Sequence, residues 1–132
     1  MQMHDIQREV AETNYENGWH DRYHEVKATD PQAALEHIIV KLALIGTEAA
    51  EAIEDVRDRG VGALVQPYIL TRPSGWQEGV PEKPDGVAAE LADVVIRALD
   101  TAALLGINLE SVVRDKLVYN ATRGKHHGGK AA

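Results

Sequence analysis

The sequence predicts an all-α fold: a four-helix bundle with a long loop between its second and third helices. Two observations support this prediction. Apolar residues recur every three or four positions over long segments, which is the spacing of one helical face. Glycines and prolines cluster at the few points that separate these segments, and outside the predicted loop the strand content is negligible. Phenylalanine is absent, and small or branched aliphatic residues dominate the apolar composition, which suits close helix packing.

The first two helices are delimited by residue types that favour the ends of helices. The first is predicted from about His4 to Asn17, because Gly18 suits the left-handed conformation that ends a helix. Asp30 as cap and Pro31 in the first turn predict the start of the second helix, which runs to Arg59. Its apolar seam alternates steps of three and four residues, as in coiled coils and bundles. The seam residues are Leu35, Ile38, Leu42, Ile45, Ala49, Ala52 and Val56.

The second half of the chain repeats this organisation. The third helix is predicted from Pro84-Asp85 to Leu105, and the fourth from Leu109 to about Arg123. The segment 60–83 between helices two and three is the predicted loop, and such long loops are often functional. Within it, Val61 to Leu70 is apolar enough to form a short strand or an arm on a partner chain. We expect one domain over residues 1–132, with a flexible tail from about residue 124.

Charge and composition exclude several classes of function. The 14 Lys and Arg residues against 21 Asp and Glu give a net charge of −7, which excludes generic binding to a nucleic-acid polymer. A small anionic ligand remains compatible if a metal cation bridges the like charges. The absence of cysteine excludes disulfides, thiolate zinc sites and cysteine nucleophiles. The polar N-terminus and the lack of an apolar run near ~20 residues predict a cytoplasmic protein without membrane contact.

Two acidic pairs accompany the apolar seams. Glu48 and Glu51 lie one turn apart on the second helix, and Glu90 and Asp93 are spaced in the same way on the third. Each acid immediately precedes a seam position, so the two pairs face one another if the two seams do. Clustered carboxylate oxygens are the ligands that Mg²⁺ prefers. The spacing therefore predicts a site for one or two divalent cations.

A second interpretation of these stripes remains open at this point. Acidic residues are frequent, so pairs at this spacing also arise by chance. An acidic stripe beside an apolar seam is often a solvated flank with salt bridges, here to Lys41 and Arg97. The protein would then be a non-catalytic helical dimerisation or regulatory module. Spacing alone does not separate this module from a metal site.

The two acidic motifs resemble a known family. Glu48-Ala-Ala-Glu51 followed by Glu90-Leu-Ala-Asp93 is similar to the ExxE…ExxD signature of MazG-like, all-α nucleoside triphosphate pyrophosphohydrolases. The similarity extends over roughly residues 10–130 and resembles the compact members of phages and actinobacteria. It is carried by the additional segments Lys41 to Glu48, Glu90 to Arg97, Leu105 to Leu109, Lys116 to Arg123 and Lys125 to Lys130.

The resemblance implies hydrolysis of a (deoxy)nucleoside triphosphate to the monophosphate and pyrophosphate, with Mg²⁺ or Mn²⁺ as cofactor. It implies a homodimer or homotetramer, and a nucleotide-binding relative without turnover is a further alternative. The implied metal ligands are Glu48, Glu51, Glu90 and Asp93. The mechanism also needs a general base, and we expect Glu48 or Glu51 to take this role instead of that of a ligand. The expected substrate-binding residues are Lys41, Lys116, Asn120, Arg123 and Trp19.

Physical chemistry is consistent with these last assignments. Lys116, Asn120 and Arg123 share one face of the last helix, so they could contact one phosphate chain together. The alternative is that these cations favour the C-terminus of their helix and pair with nearby acids. Trp19 offers a surface for stacking on a base, or it closes one end of the bundle.

Overall fold

The computed structural model of the chain describes residues 1–123, and the predicted tail from about residue 124 lies outside them. This part is mostly helical, which confirms the all-α prediction. Its elements are α1 (Met3–Glu16), α2 (Asp21–Val26), α3 (Pro31–Arg59), α4 (Val61–Val65), β1 (Ile69–Thr71), β2 (Lys83–Asp85), α5 (Val87–Leu104) and α6 (Leu109–Thr122). Four long helices agree with the predicted ones, while α2, α4 and the two strands were not predicted as such.

The predicted loop contains regular structure. Val61–Val65 forms the short helix α4, and β1 pairs antiparallel with β2 so that Ile69 lies opposite Asp85. The prediction that a helix begins at Pro84-Asp85 is therefore wrong, because both residues belong to β2. Helix α5 begins only after Gly86, which has φ +86°, and a Cβ there would lie 2.6 Å from the carbonyl oxygen of Pro67. Only glycine fits this close approach of hairpin and helix.

Helix α5 occupies the centre of the molecule. It packs against α3 on one side and α1 on the other, whereas α2 packs on α3 and α6 on α1. The most deeply buried side chain is Leu99, near the C-terminal end of α5. The other buried apolar residues are Val26, Ala34, Ala63, Ala102 and Leu104. The apolar core of one chain is thus small.

The expected contact between the two apolar seams is only partly formed. On α3, Ile38 and Ile45 are half-buried, but Leu42 is more than half exposed. Leu91 is also more than half exposed; it belongs to the apolar seam of α5, which consists of Val87, Leu91, Val94, Ala98, Ala102 and Leu105. The polar side of α3, which carries Lys41 and Glu48, faces α5 instead. Two ion pairs join these surfaces, Glu48 with Arg97 and Lys41 with Asp100. Because a charge removed from water requires an opposite charge, these pairs fix the rotation of α3 against α5.

Helix α6 is attached to the bundle mainly through its first turn. The side chain of Gln7 donates to the carbonyl of Ile107 at 2.6 Å and accepts from the amide of Leu109 at 3.2 Å. No residue of α6 is buried. Its apolar residues Val112 and Leu117 are exposed in a single chain. Among residues 1–123, no helix has both the length and the apolar character needed to cross a membrane.

Candidate active site

Three carboxylates from two helices meet between α3 and α5. One oxygen each of Glu48, Glu51 and Glu90 lies within 4.8 Å of the other two. Glu48 and Glu51 are one turn apart on α3, and Glu90 lies in the first turn of α5. Glu48 is buried, Glu90 half-buried and Glu51 exposed, so the cluster is open to solvent on one side. Three oxygens around a common point are a suitable partial ligand set for a hard divalent cation.

Asp93, the fourth predicted ligand, lies at the edge of this cluster. It is exposed, it does not belong to the group of three, and it lines a cleft together with Glu48. Partial burial, and then the negative charge of Glu48, raise the pKa of Asp93, while Arg97 and Lys83 oppose this shift. An aspartate side chain is one methylene shorter than a glutamate, so its carboxylate stays nearer to α5.

The protonation of the cluster is uneven. Burial is the main cause that raises the pKa of Glu90 to about 7, followed by the neighbouring carboxylates of Glu51, Asp93 and Glu48. Oε2 of Glu90 is also a buried atom without a hydrogen-bond partner among the described residues. A carboxylate that is crowded by like charges and has an unsatisfied oxygen is stabilised by a proton or by a cation. The residues present therefore fit a divalent metal ion.

Arg97 keeps the opposite side of the cluster charged. Its Nε donates to Oε1 of Glu48 at 2.6 Å, and this hydrogen bond lowers the pKa of Glu48 although burial opposes the shift. The pairing of Arg97 with an acid of the stripe is also what the solvated-flank interpretation expects. Glu48 differs from a solvated residue, however, in being buried.

A second buried network adjoins the cluster, one turn further along α5 than Arg97. Asp100 accepts hydrogen bonds from Asn14 Nδ2 at 2.6 Å, His20 Nε2 at 2.5 Å and Lys41 Nζ at 2.8 Å. Burial alone would raise the pKa of Asp100, but the hydrogen bonds from Lys41, Asn14 and His20 lower it below its ordinary value. The three donors come from α1, the turn before α2, and α3. Asp100 therefore ties three parts of the chain to α5.

Sequence reasoning recognised only parts of this network. Asp100 continues the acidic stripe of its helix, so it could be interpreted either as support for the site or as the end of a solvated flank. His20 and His24 have the spacing of a metal-binding pair on a helix, but His20 contacts Asp100 in the structure. Nothing in the local sequence distinguishes Asn14, because its partner is 86 positions away.

A cleft of about 230 Å³ connects the acidic cluster with the Asp100 network. Trp19 stands at its rim with 60% of its surface exposed. The lining residues are Asn14, Trp19, Lys41, Glu48, Asp93, Ile96, Arg97 and Asp100. The structure thus brings two predicted substrate-binding residues, Lys41 and Trp19, next to the predicted metal ligands.

The other three predicted substrate-binding residues lie elsewhere in the described chain. Lys116, Asn120 and Arg123 follow one another along the second half of α6 and its C-terminal cap, and α6 packs on α1. The charged ends of Lys116 and Arg123 lie 5.9 and 5.7 Å from the ring centre of Tyr119. None of the three belongs to the acidic cluster or lines the cleft.

Comparison with known proteins gave no match: the chain matches no protein-family model, no curated protein and no solved structure.

Proposed function

We propose that this chain is a metal-dependent nucleoside triphosphate pyrophosphohydrolase of the MazG-like kind that its motifs resemble. The observation that carries the proposal is the meeting of Glu48, Glu51 and Glu90 within 4.8 Å, together with the unsatisfied oxygen of Glu90. The reaction is hydrolysis between the α and β phosphates, which yields a nucleoside monophosphate and pyrophosphate.

The three clustered glutamates would hold Mg²⁺ or Mn²⁺, with Asp93 adjacent to them. When bound, such a cation supplies positive charge to the phosphate oxygens and lowers the pKa of a water ligand. The chain requires this charge because a triphosphate would otherwise approach a cluster of carboxylates in a protein of net charge −7.

The protein's own groups divide the remaining roles. Arg97 holds Glu48 in its charged form, which suits a ligand better than a group that must accept a proton. Glu51 is exposed on the open side of the cluster. Of the two acids considered as general base, Glu51 is therefore the better placed to accept a proton from water.

The cleft beside the cluster would receive the nucleoside. Trp19 offers a flat apolar surface at the rim, and Ile96 lies in the same cleft. Asn14 and Lys41 add polar groups that can contact the edge of a base or a sugar hydroxyl. A nucleoside bound here directs its triphosphate towards the carboxylates, because Glu48 and Asp93 line the same cleft.

The rival proposal is a non-catalytic helical module. The ion pair between Arg97 and Glu48 favours it, because a glutamate engaged in this way has a structural role without any metal. The two proposals differ in a simple respect: the module needs neither a divalent cation nor a triphosphate.

The deciding experiment combines metal titration with product analysis. Calorimetry with Mg²⁺ and Mn²⁺ is followed by assays for pyrophosphate and monophosphate over a panel of nucleoside triphosphates. We expect metal-dependent release of pyrophosphate by the wild type and at least a roughly hundredfold loss in Glu51→Gln. Glu54→Gln is the matched control, since Glu54 is exposed on the same helix outside the cluster. Absence of pyrophosphate release from every nucleotide, or equal activity of Glu51→Gln and wild type, would contradict the proposal.

A further inference from the structure

The cleft contains two polar groups whose hydrogen-bonding roles are fixed by a common neighbour. Nδ2 of Asn14 donates to Oδ1 of Asp100 at 2.6 Å, and Nζ of Lys41 donates to Oδ2 of the same carboxylate at 2.8 Å. Asn14 lies on α1 and Lys41 on α3, and both line the cleft of about 230 Å³. Because the two oxygens of one carboxylate are close together, the polar ends of Asn14 and Lys41 are neighbours.

Asp100 determines which end of the Asn14 amide is available to a ligand. Burial raises the pKa of Asp100, but the hydrogen bonds from Lys41, Asn14 and His20 bring it below its ordinary value, so the group is a carboxylate at neutral pH. A carboxylate only accepts hydrogen bonds, and the amide therefore turns its NH₂ group towards Asp100. The other end, Oδ1, makes no hydrogen bond among residues 1–123 and is not fully buried. Asn14 thus offers an acceptor to the cleft.

Lys41 offers the opposite role. An ammonium group has three N–H donors and no acceptor, and the structure assigns one of these donors to Asp100. The side chain of Lys41 is 15% exposed and lines the cleft, so its remaining donors are accessible to a ligand. A ligand in the cleft therefore meets an acceptor and a donor side by side, and the buried carboxylate of Asp100 holds both in place.

The remaining residues of the cleft do not compete for this contact. Trp19 and Ile96 are apolar and suit the faces of a planar ring. The charged residues of the opposite end, Glu48, Asp93 and Arg97, form or adjoin the candidate metal site. The acceptor and the donor therefore lie at the end of the cleft where the proposed function requires a base.

We infer that Asn14 and Lys41 select nucleotides whose base carries an amino group next to an unprotonated ring nitrogen, namely cytosine or adenine; the inference rests on the proposed function. The amino group donates to Oδ1 of Asn14, and the adjacent ring nitrogen accepts from Nζ of Lys41. In cytosine these two groups are the N4 amino group and N3, and in adenine they are the N6 amino group and N1. Both contacts form without any change in the hydrogen bonds to Asp100.

Bases with a carbonyl group at this edge present the wrong group at both positions. Uracil, thymine, guanine and hypoxanthine place a carbonyl oxygen against Oδ1 of Asn14 and a ring N–H against the ammonium of Lys41. Two acceptors then face each other, as do two donors, so two hydrogen bonds are lost and polar groups stay unpaired in a partly buried site. Enzymes reject a substrate analogue that lacks a required hydrogen bond more strongly than one that differs only slightly in size.

Matched pairs of nucleotides test the inference, because the two members of a pair differ only at this edge of the base. CTP is compared with UTP, and ATP with inosine triphosphate, by the release of pyrophosphate in the presence of Mg²⁺. In a pair that is hydrolysed, we expect kcat/KM to be at least about tenfold higher for the member with the amino group. Equal values within the pair, or a preference for the member with the carbonyl group, would overturn the inference.

Two variants assign the discrimination to individual side chains. Asn14→Ala removes the acceptor and Lys41→Met the donor, and each should reduce the ratio of kcat/KM values within a pair at least about threefold. Partial unfolding of a variant does not affect this ratio, because both nucleotides are measured on the same sample. Gln7→Ala is the matched control: Gln7 is 7% exposed like Asn14, but its amide bonds to Ile107 and Leu109 outside the cleft. An unchanged ratio in Asn14→Ala, or an equal fall in Gln7→Ala, would contradict the inference.

A binding measurement separates this inference from the proposed reaction. The α,β-methylene analogues of the same four nucleotides cannot be cleaved between the α and β phosphates, and calorimetry in the presence of Mg²⁺ gives their dissociation constants. Binding at least about tenfold tighter for the amino member of a pair, without pyrophosphate release from any nucleotide, would support the base selection and contradict the proposed enzyme. Equal binding within each pair, or no binding at all, would overturn the base selection even if pyrophosphate is released.

Discussion

Nε of Arg97 lies 2.6 Å from Oε1 of Glu48, across the interface between α3 and α5. This hydrogen bond joins the scaffold to the candidate metal site, because the same glutamate that fixes the two helices also belongs to the acidic cluster. It keeps Glu48 ionised while Glu90, on the other side of the cluster, has its pKa raised to about 7. Two carboxylates with opposite protonation tendencies are thus placed side by side.

Replacing Arg97 tests this link. In Arg97→Met the buried Glu48 loses its partner, so we expect the metal-free protein to lose about 1–3 kcal/mol of stability. A divalent cation should then stabilise the variant more than the wild type, because it supplies the missing positive charge. Urea denaturation with and without Mg²⁺ measures both effects. Arg114→Met is the control, since Arg114 is exposed and lies 3.8 Å from Glu110; equal responses of the two variants would contradict the prediction.

Glu90 should make the metal-free protein less stable as the pH rises. Its pKa in the folded chain, about 7, is higher than its ordinary value of 4.5, so the folded state holds the proton more tightly than the unfolded state. The resulting stabilisation is complete below the ordinary pKa and is lost as the pH rises through 7. Melting temperatures between about pH 5 and about pH 8.5 should therefore fall more steeply in the wild type than in Glu90→Gln. Parallel pH profiles for the two proteins would show that Glu90 does not titrate in this range.

Metal affinity should show the opposite dependence on pH. A cation at the cluster displaces the proton of Glu90, so below pH 7 the apparent affinity should fall by up to about tenfold per pH unit. Titration calorimetry with Mn²⁺ in two buffers of different ionisation enthalpy measures both the affinity and the proton released. Release near one proton at about pH 6 and little above about pH 8 is expected. Binding without any proton release at the lower pH would place the metal away from Glu90.

The sequence contained enough information for the helices and for the acidic residues. Apolar periodicity and terminal residues located α1, α3, α5 and α6 closely, and the predicted cap forms, since Asp30 accepts a hydrogen bond from the amide of Ala33 at 3.1 Å. A short strand was one of two possibilities for Val61 to Leu70, but the bounds of β1 were not predicted because three residues are too short for an alternating pattern. Strand β2 was missed because Pro84 suggested a helix start.

The sequence did not predict as well which faces of the helices pack against each other. Periodicity defines an apolar face but does not identify which neighbour covers it. In this fold the pairs Glu48–Arg97 and Lys41–Asp100 determine how α3 meets α5, and their members are 49 and 59 positions apart. No local pattern in a single sequence links such residues. The acids were therefore predicted to face each other on the condition that the seams do, whereas in the structure the acids meet and the seams contact each other only in part.

Replacing Asp100 should lower the free energy of unfolding more than replacing Glu48, Glu51 or Glu90 of the acidic cluster. In Asp100→Asn the charge that compensates Lys41 disappears, and Lys41 has only 15% of its side chain exposed. Removing one member of a buried ion pair costs about 3–5 kcal/mol, because the other charge stays buried without a partner. Denaturation by urea measures this loss, with Asp115→Asn as the control on the exposed surface of α6. Losses of the same small size in both variants would contradict a supporting role for Asp100.

Replacing Trp19 distinguishes an effect on nucleotide binding from an effect on folding. It lies at the rim of the cleft with 60% of its surface exposed, so Trp19→Ala should change the free energy of unfolding by less than about 0.5 kcal/mol. If a base stacks on it, the loss of about 1–3 kcal/mol of stacking should raise KM roughly ten- to hundredfold while kcat changes little. The other tryptophan is a suitable control, because Trp76 donates to the carbonyl of Val80 and packs under Arg72 in the segment between β1 and β2. An unchanged KM in Trp19→Ala, or an equal rise in Trp76→Ala, would exclude Trp19 as the stacking surface and leave the nucleoside to bind outside this cleft.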